Sequence, residues 1–211
     1  MKRLVIVGAS GHGKVVADIA KKCGYDKIVF LDDDSSKEEC NGYPIVGRFK
    51  DINRFCDFDI LVAIGDADIR QKMQRDIISN RLNIPSLIHP NSIVASDVQI
   101  GKGTVIMAGA IINPGSKIGD GCIINTGATI DHDNVISDYV HVSVGSHIAG
   151  SVFIGKKTWI GAGVIVINNI KICENCIIGA GAVVVNNIEK KGTYIGVPAK
   201  RMKGNKIIWR Y

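Results

Sequence analysis

No apolar run in this 211-residue chain approaches the ~20 residues of a membrane-spanning helix, so no membrane partner is expected. The opening stretch, Met1-Lys-Arg-Leu-Val-Ile-Val-Gly8, is too short in apolar residues for a signal peptide and lacks a small-residue cleavage site, which points to the cytoplasm. No second cysteine pair accompanies Cys173-Glu-Asn-Cys176, so a zinc site lacks half its ligands, and no thioredoxin-like context surrounds it. The six cysteines are scattered and read as core filler. Residues 190–211 carry seven Lys or Arg and no acid, within a net charge of +6. That stretch holds Trp209 and two tyrosines but no recognition motif, which argues against nucleic acid.

What the chain does have is a period. From Ile88 to Val184 every sixth residue is Ile or Val, seventeen in register. A helix repeats its apolar face near 3.6 residues and a lone strand alternates with period two, so neither produces this. Six is the period of a parallel β-helix. The position four after each aliphatic is small or β-branched nearly throughout, as at Thr104, Ala128, Ser146 and Cys176. The position one after it is often glycine (Gly101, Gly119, Gly155, Gly161, Gly179), read as the freedom a tight corner needs. Three units make a coil of eighteen residues, and Asn168-Asn169-Ile170 recurs as Asn186-Asn187-Ile188. About five coils follow from this count, stacked ~4.8 Å apart. The pattern resembles the hexapeptide-repeat acyltransferases. The resemblance alone supplies a left-handed coil, a homotrimer, and acetyl-CoA bound between coils of neighbouring subunits.

The period is absent before residue 88. Leu4–Val7 reads as a buried strand, followed by a glycine loop and a helical pattern through Val15, Val16, Ile19 and Ala20. Ile28–Leu31 and Ile60–Ile64 read as strands, Ile69–Leu82 as a helix and Ile84–Ile88 as a short strand leading into the repeats. Residues 33–59 are polar and irregular, with a turn at Asn41-Gly42. The fold expected is a small Rossmann-like α/β domain over residues 1–86, then a left-handed parallel β-helix with a basic tail over 87–211.

Gly8-Ala-Ser-Gly-His-Gly13-Lys14 lies where the first strand meets the first helix, where backbone N–H groups can face a phosphate. It follows a Walker A loop except that Val15 replaces the magnesium-holding Ser or Thr, and its glycines run G-x-x-G-x-G, not G-x-G-x-x-G. Asp32 falls nineteen residues after Gly13, where such folds grip a ribose. With this loop, Phe30-Leu-Asp-Asp33, the repeats and Gly196-Val-Pro-Ala-Lys-Arg-Met202 together, the chain resembles one group of bacterial sugar acetyltransferases. That group includes the UDP-4-amino-sugar N-acetyltransferases of bacillosamine synthesis, perosamine N-acetyltransferases and the sialic acid O-acetyltransferase family.

Acetyl transfer from a thioester needs a base for the nucleophile's proton and donors for the tetrahedral oxyanion. His132 lies in Ile130-Asp-His-Asp-Asn134, with a carboxylate on either side to orient the ring, and Gly150 stacks eighteen residues on. The resemblance implies the same roles: His132 as base, Asp133 as its partner, the Gly150 amide as oxyanion donor, and His141 lining the acetyl and acceptor site. Asp133 stands where the group usually has Glu. His147 and His89 read as surface and structural residues. A zinc reading like that of trimeric β-helical carbonic anhydrases fits poorly, because His132, His141 and His147 are nine and six residues apart. No metal is expected.

Acetyl-CoA is expected along coils 150–200, with Gly161 and Gly179 admitting the pantetheine and Lys200 near a phosphate. The acceptor expected is a nucleotide diphosphate sugar held by Ser10, Gly11, His12, Gly13, Asp32 and Asp33, its amine directed at His132. A sialic-acid-type O-acetyltransferase and a non-catalytic nucleotide-sugar-binding module are the other readings.

Overall fold

A computed structural model describes residues 1–202; Lys203, Lys206, Trp209 and Arg210 of the basic tail lie outside the described residues. The chain divides into two compact units between Pro90 and Asn91.

The first unit is a three-stranded parallel sheet with order β2-β1-β3, where β1 is Lys2–Val7, β2 is Tyr25–Leu31 and β3 is Asp59–Val62. Helix α1 (Gly11–Lys22) follows β1 and α2 (Ala67–Ser79) follows β3. Both β1 and β2 are fully buried over their last four residues, as unbroken apolar runs in a covered parallel sheet should be. Asp66 starts α2 by accepting the N–H groups of Asp68 and Ile69. Residues 33–59 hold more structure than their polarity suggests. Glu39–Cys40 and Tyr43–Pro44 form a hairpin, and Phe49–Phe55 a 3-10 helix. Asn41 and Gly42 both have positive φ, which is why this pair closes a two-residue hairpin. The strand expected over Ile84–Ile88 is confined to Leu87–Ile88.

The second unit is a parallel solenoid of two-residue strands. One face stacks Ile93–Val94, Ile111–Ile112, Thr129–Ile130, His147–Ile148, Ile165–Val166 and Val183–Val184, each pair eighteen residues from the next. A second face stacks five strands from Gln99–Ile100 to Lys171–Ile172. The third carries His141–Val142, Trp159–Ile160 and Ile177–Ile178 in sequence. Six rungs on the first face exceed the five coils expected, because seventeen six-residue units grouped in threes make nearly six coils, and the third face runs on past the last regular repeat. There the register shortens: Ile178 pairs with Tyr194 and Ile172 with Ile188, sixteen residues apart. Asn186-Asn187-Ile188 is therefore not in register with Asn168-Asn169-Ile170.

The repeat's two fixed positions both point inward. From Ile106 to Val184 every sixth-residue aliphatic is at most 3% exposed. Each contributes roughly 1.5–3 kcal/mol by burial. The small position four residues on is equally buried, and its hydroxyls close a ladder between coils. Thr104 Oγ1 donates to Gly119 O at 2.7 Å and accepts Cys122 N at 2.9 Å. Ser116 and Thr158 repeat the arrangement.

The glycine reading needs correction. Positive φ falls three residues after the aliphatic, from Gly103 to Gly181 without a break, with φ between +56° and +75°. Asp133, Tyr139, Ser151, Lys157, Asn169 and Asn175 occupy this corner as well as glycines. The glycines one after the aliphatic are absent from the positive-φ positions. They are small because a Cβ would strike the next coil: at Gly119 it would lie 2.6 Å from Asp138 N, and at Gly161 2.6 Å from Ile178 O.

Candidate active site

Three solenoid corners stack in line: 112–116, 130–134 and 148–152. Backbone bonds join them, Asp133 N to Pro114 O at 3.0 Å and Ser151 N to His132 O at 2.9 Å. The middle corner places a histidine between two carboxylates. His132 Nδ1 and Asp133 Oδ2 are 2.8 Å apart, so the shorter aspartate reaches the ring. Asp133 sits at the positive-φ corner position, φ +58°, a conformation Asp and Asn accept more readily than other non-glycine residues. The bond from Asp133 raises the His132 pKa above its ordinary 6.5, and the charges of Asp131 and Asp133 add to the shift. Asp131 Oδ1 accepts Asn113 Nδ2 at 2.8 Å and His132 N at 2.9 Å, and these bonds hold its own pKa below the usual value. With Nδ1 engaged, Nε2 is the ring atom left to take a proton.

Gly150 lies against that ring. A Cβ there would sit 2.6 Å from both His132 Cε1 and Nε2. The Gly150 carbonyl accepts Asn169 N, whereas its N–H makes no hydrogen bond among the described residues. The position stacked below Asp133 is also constrained: at Gly115 a Cβ would strike Asp133 Oδ1. The corner above His132 and the one beneath Asp133 are thus both emptied of side chain.

Asp131 also lines a groove of about 520 Å³ with Asn113, Thr129, His147, Ile165 and Asn168. His147 is exposed and bonds Thr129 Oγ1 through Nδ1 at 2.8 Å. His141 lies on another face, its Nε2 3.2 Å from Asn125 Nδ2 and its ring 6.4 Å from that of Trp159. Sequence reasoning counted Asp131 as one of two carboxylates able to orient the ring but did not single out Asn113, Gly115 or Asn125. The signal of Asn113 and Gly115 was positional, since they lie eighteen residues before Asp131 and Asp133.

Gly161 and Gly179 are buried, and a Cβ at Gly179 would lie 2.7 Å from Ile195 Cγ2. Both serve the stacking of coils within the chain by itself. Lys200 is exposed in a short antiparallel pairing opposite Ile195. Cys173 and Cys176 are free thiols with Sγ atoms 3.4 Å apart; burial pushes Cys176 up to about 12. Among the described residues, no group of three or more His, Cys, Asp or Glu is arranged to hold a metal ion.

In the first unit the glycine loop joins β1 to α1. Gly8 has φ +104° and packs on Ala63 O. A Cβ at Gly13 would strike Gly8 O, so this helical glycine lets the loop fold onto α1. Gly11 is different: a Cβ there meets nothing within 4 Å. Ser10 caps α1 by conformation without a side-chain bond, leaving the first-turn N–H groups uncapped by it. Asp32 holds the loop: its carboxylate accepts Ala9 N at 2.6 Å, Asp34 N at 2.9 Å and Lys37 Nζ at 3.4 Å. Asp33 is exposed and accepts Phe49 N at 3.1 Å. Both aspartates line a cavity of about 280 Å³ with Gly8, Leu31, Phe49 and Ile64, at the carboxyl ends of the strands. His12 Nε2 is buried with no hydrogen-bond partner among the described residues, and burial together with the Arg70 charge lowers its pKa to about 4. His12 is therefore neutral at pH 7. Arg70 is 1% exposed and donates to the carbonyls of Ile64 and Gly65 at 2.8 Å.

Residues 3–77 match the family described as PglD N-terminal domain, and residues 97–132 and 151–186 match the bacterial transferase hexapeptide family. The acetyltransferase domain of PglB from Neisseria gonorrhoeae FA1090, solved with acetyl coenzyme A, is 39% identical. The match covers 95% of this chain and 99% of that one, with a TM-score of 0.92. The chain belongs to the bacterial hexapeptide transferases with a PglD N-terminal domain. The hexapeptide repeats make its solenoid a left-handed β-helix. Another member of known structure is PerB from Caulobacter crescentus, solved with CoA and GDP-perosamine. It is 36% identical, covering 96% of this chain and 98% of that one, with a TM-score of 0.92. UDP-N-acetylbacillosamine N-acetyltransferase of Bacillus subtilis (strain 168) is 37% identical over 115 residues, 51% of this chain and 52% of that protein. The chain spans about half the length of the curated relatives it matches. Among the described residues, no helix of this hexapeptide transferase is long and apolar enough to cross a membrane.

Proposed function

We propose that this protein is an N-acetyltransferase that moves acetyl from acetyl-CoA to the amine of a nucleotide-linked amino sugar. A UDP-linked 4-amino-4,6-dideoxy sugar is the first choice of acceptor and GDP-linked perosamine the second. The observation that carries the reading is the His132–Asp133 pair resting on Gly150, whose amide has no partner in the coil. His132 Nε2 accepts the proton of the attacking amine. The amine attacks the thioester carbonyl directly, and the Gly150 N–H donates to the oxyanion that forms. Collapse expels the CoA thiolate, which takes the proton back from His132. His141 lines the acetyl pocket. The first unit holds the acceptor's nucleotide, with the open Gly11, the uncapped start of α1 and neutral His12 facing its phosphates, and Asp33 at its nucleoside. Acetyl-CoA runs along coils 150–200 with Lys200 toward a phosphate.

The named relatives support the chemistry: one is solved with acetyl coenzyme A and one with CoA and GDP-perosamine. The working form is a homotrimer in the cytoplasm, where six free cysteines stay reduced. The test is thiol release from acetyl-CoA against UDP- and GDP-linked amino sugars and free sialic acid. Turnover with a nucleotide amino sugar is expected. Turnover with sialic acid alone would overturn the assignment in favour of O-acetylation.

A further inference from the structure

Asn134 is the sole amide at an inward position where the other coils use Thr, Ser, Ala, Cys, Val or Ile. It is 0% exposed. At Ser116 and Thr158 a single hydroxyl does two things: it donates to a carbonyl fifteen residues on and accepts an N–H eighteen residues on. Asn134 does both with separate atoms. Its Oδ1 accepts Val152 N at 2.9 Å, and its Nδ2 donates to Ala149 O at 3.0 Å. A carboxamide has two protons where a hydroxyl has one. The second goes to its own corner, to Asp131 O at 2.7 Å, with His132 O at 3.4 Å.

The two carbonyls it holds are not arbitrary. Ala149 C=O and the Gly150 N–H are one peptide group, and Asp131 C=O and the His132 N–H are another. A trans peptide is planar, so fixing a carbonyl inward aims its N–H the opposite way. Asn134 thus orients the peptide that bears the oxyanion donor, and it shares the peptide that leads into the base with Ser116 Oγ, which also donates to Asp131 O at 2.8 Å. It also ties the two coils together at those points.

We propose that Asn134 is a positioning residue that sets the aim of the Gly150 amide relative to the His132 ring. The proposal rests on the roles given to His132 and Gly150 above. Asn134→Val is the informative variant, because Val140, Val152 and Val164 show that the inward position accepts valine. It removes the bonds to Ala149 O and Asp131 O and the acceptor of Val152 N, while Ser116 Oγ still holds Asp131 O. Asn134→Ser restores the ordinary ladder, including the bond to Ala149 O, and lacks the second donor's bonds to Asp131 O and His132 O.

The experiment measures kcat, both KM values and thermal midpoint for these two variants, with Thr104→Val as a ladder control at a corner bearing no catalytic group. Asn134→Val should lower kcat by about 10- to 100-fold with both KM values held within about twofold, as a small misplacement of reacting groups does. Asn134→Ser should recover part of that loss. Thr104→Val should keep kcat. The His132 ring protons, titrated by NMR without substrates, should shift their midpoint in Asn134→Val and not in Thr104→Val. That titration reads the placement even if no amino sugar is turned over, an outcome that would sink the function and leave the role of Asn134 decided by the ring. A wild-type kcat in Asn134→Val, or an unmoved His132 titration in it, overturns the proposal.

Discussion

The corners at 112–116 and 130–134 share a backbone and differ in every outward side chain. Both begin on a buried isoleucine, both turn at a positive-φ residue three positions on, and both close on a buried polar group. Yet Asn113-Pro-Gly-Ser116 offers no base, and Asp131-His-Asp-Asn134 offers a base, its partner and a second carboxylate. The fold depends on the first and fifth positions, where burial is complete. It leaves the third and fourth open to varied side chains, so ionisable groups can stand there without altering the coil. The neighbours then adjust: Gly115 clears space for Asp133, and Gly150 for His132.

If chemistry and scaffold are this separable, His132→Ala should turn the second corner into something like the first. Turnover is expected to fall by about 10²–10⁴-fold, as loss of a general base does. Acetyl-CoA affinity and thermal midpoint should stay near wild type, checked by calorimetry and by thermal unfolding. Retained turnover would break the comparison at its centre. Gly150→Ala tests the neighbour's adjustment. Position 150 does not have positive φ, so alanine suits the backbone, and its amide remains. Its methyl would lie 2.6 Å from the ring, so His132 must swing away. A loss of up to about 10²-fold in kcat is expected, with little loss of stability. Restoration by a small exogenous imidazole would locate the damage in the ring and not in the amide.

The same separation explains what could be read from the sequence. The coil was legible because its inward positions recur at fixed intervals and tolerate few residue types. The juxtaposition of His132 and Gly150 was legible because residues eighteen apart stack, so a residue number gives an address in space. The purpose of the glycines was not. A glycine required for positive φ and one required by a neighbour's proximity look alike in sequence, and only the backbone separates Gly181 from Gly119. The last coil was misaligned because two residues drop out between Val184 and Ile188, and Tyr194 continues a stack that the Ile/Val count ended at Val184. In the first unit the loop over 33–59 hid a hairpin and a 3-10 helix, whose signals are local turns and not a period.

Asp133→Asn sharpens the comparison at smaller amplitude. Asn169 and Asn175 hold the same corner conformation elsewhere, so the backbone should not notice the change. The charge that favours protonated His132 is removed, and the raised pKa should fall toward its ordinary 6.5. His132 acts as base only when neutral, so activity disappears as pH falls through its pKa. The acidic limb of kcat/KM therefore starts above the ordinary imidazole value in wild type and moves to lower pH in Asp133→Asn. The cost in kcat near pH 8 should be about 10-fold, less than removing the base, because Asp133 orients the ring and transfers no proton. A limb unmoved by the substitution would dissociate Asp133 from the titrating group.

The smallest effect expected lies in the glycine loop, where need for space again separates residues of one type. Gly13→Ala places a methyl against Gly8 O, inside a loop that Asp32 also holds, and should cost about 1–3 kcal/mol of stability. Gly11→Ala meets nothing within 4 Å among the described residues and sits at the first position of α1, where alanine favours the helix by up to about 1 kcal/mol. Its thermal midpoint should rise slightly or stay level. Should Gly11 be bare because a phosphate approaches it, the same variant must weaken UDP or GDP in calorimetric titration while acetyl-CoA binds as before. The two measurements pull in opposite directions, which no purely structural role for Gly11 can produce. Nucleotide affinity unchanged in Gly11→Ala, with a raised midpoint, would make this glycine a residue the loop could do without, and would remove the anion-binding role from the start of α1.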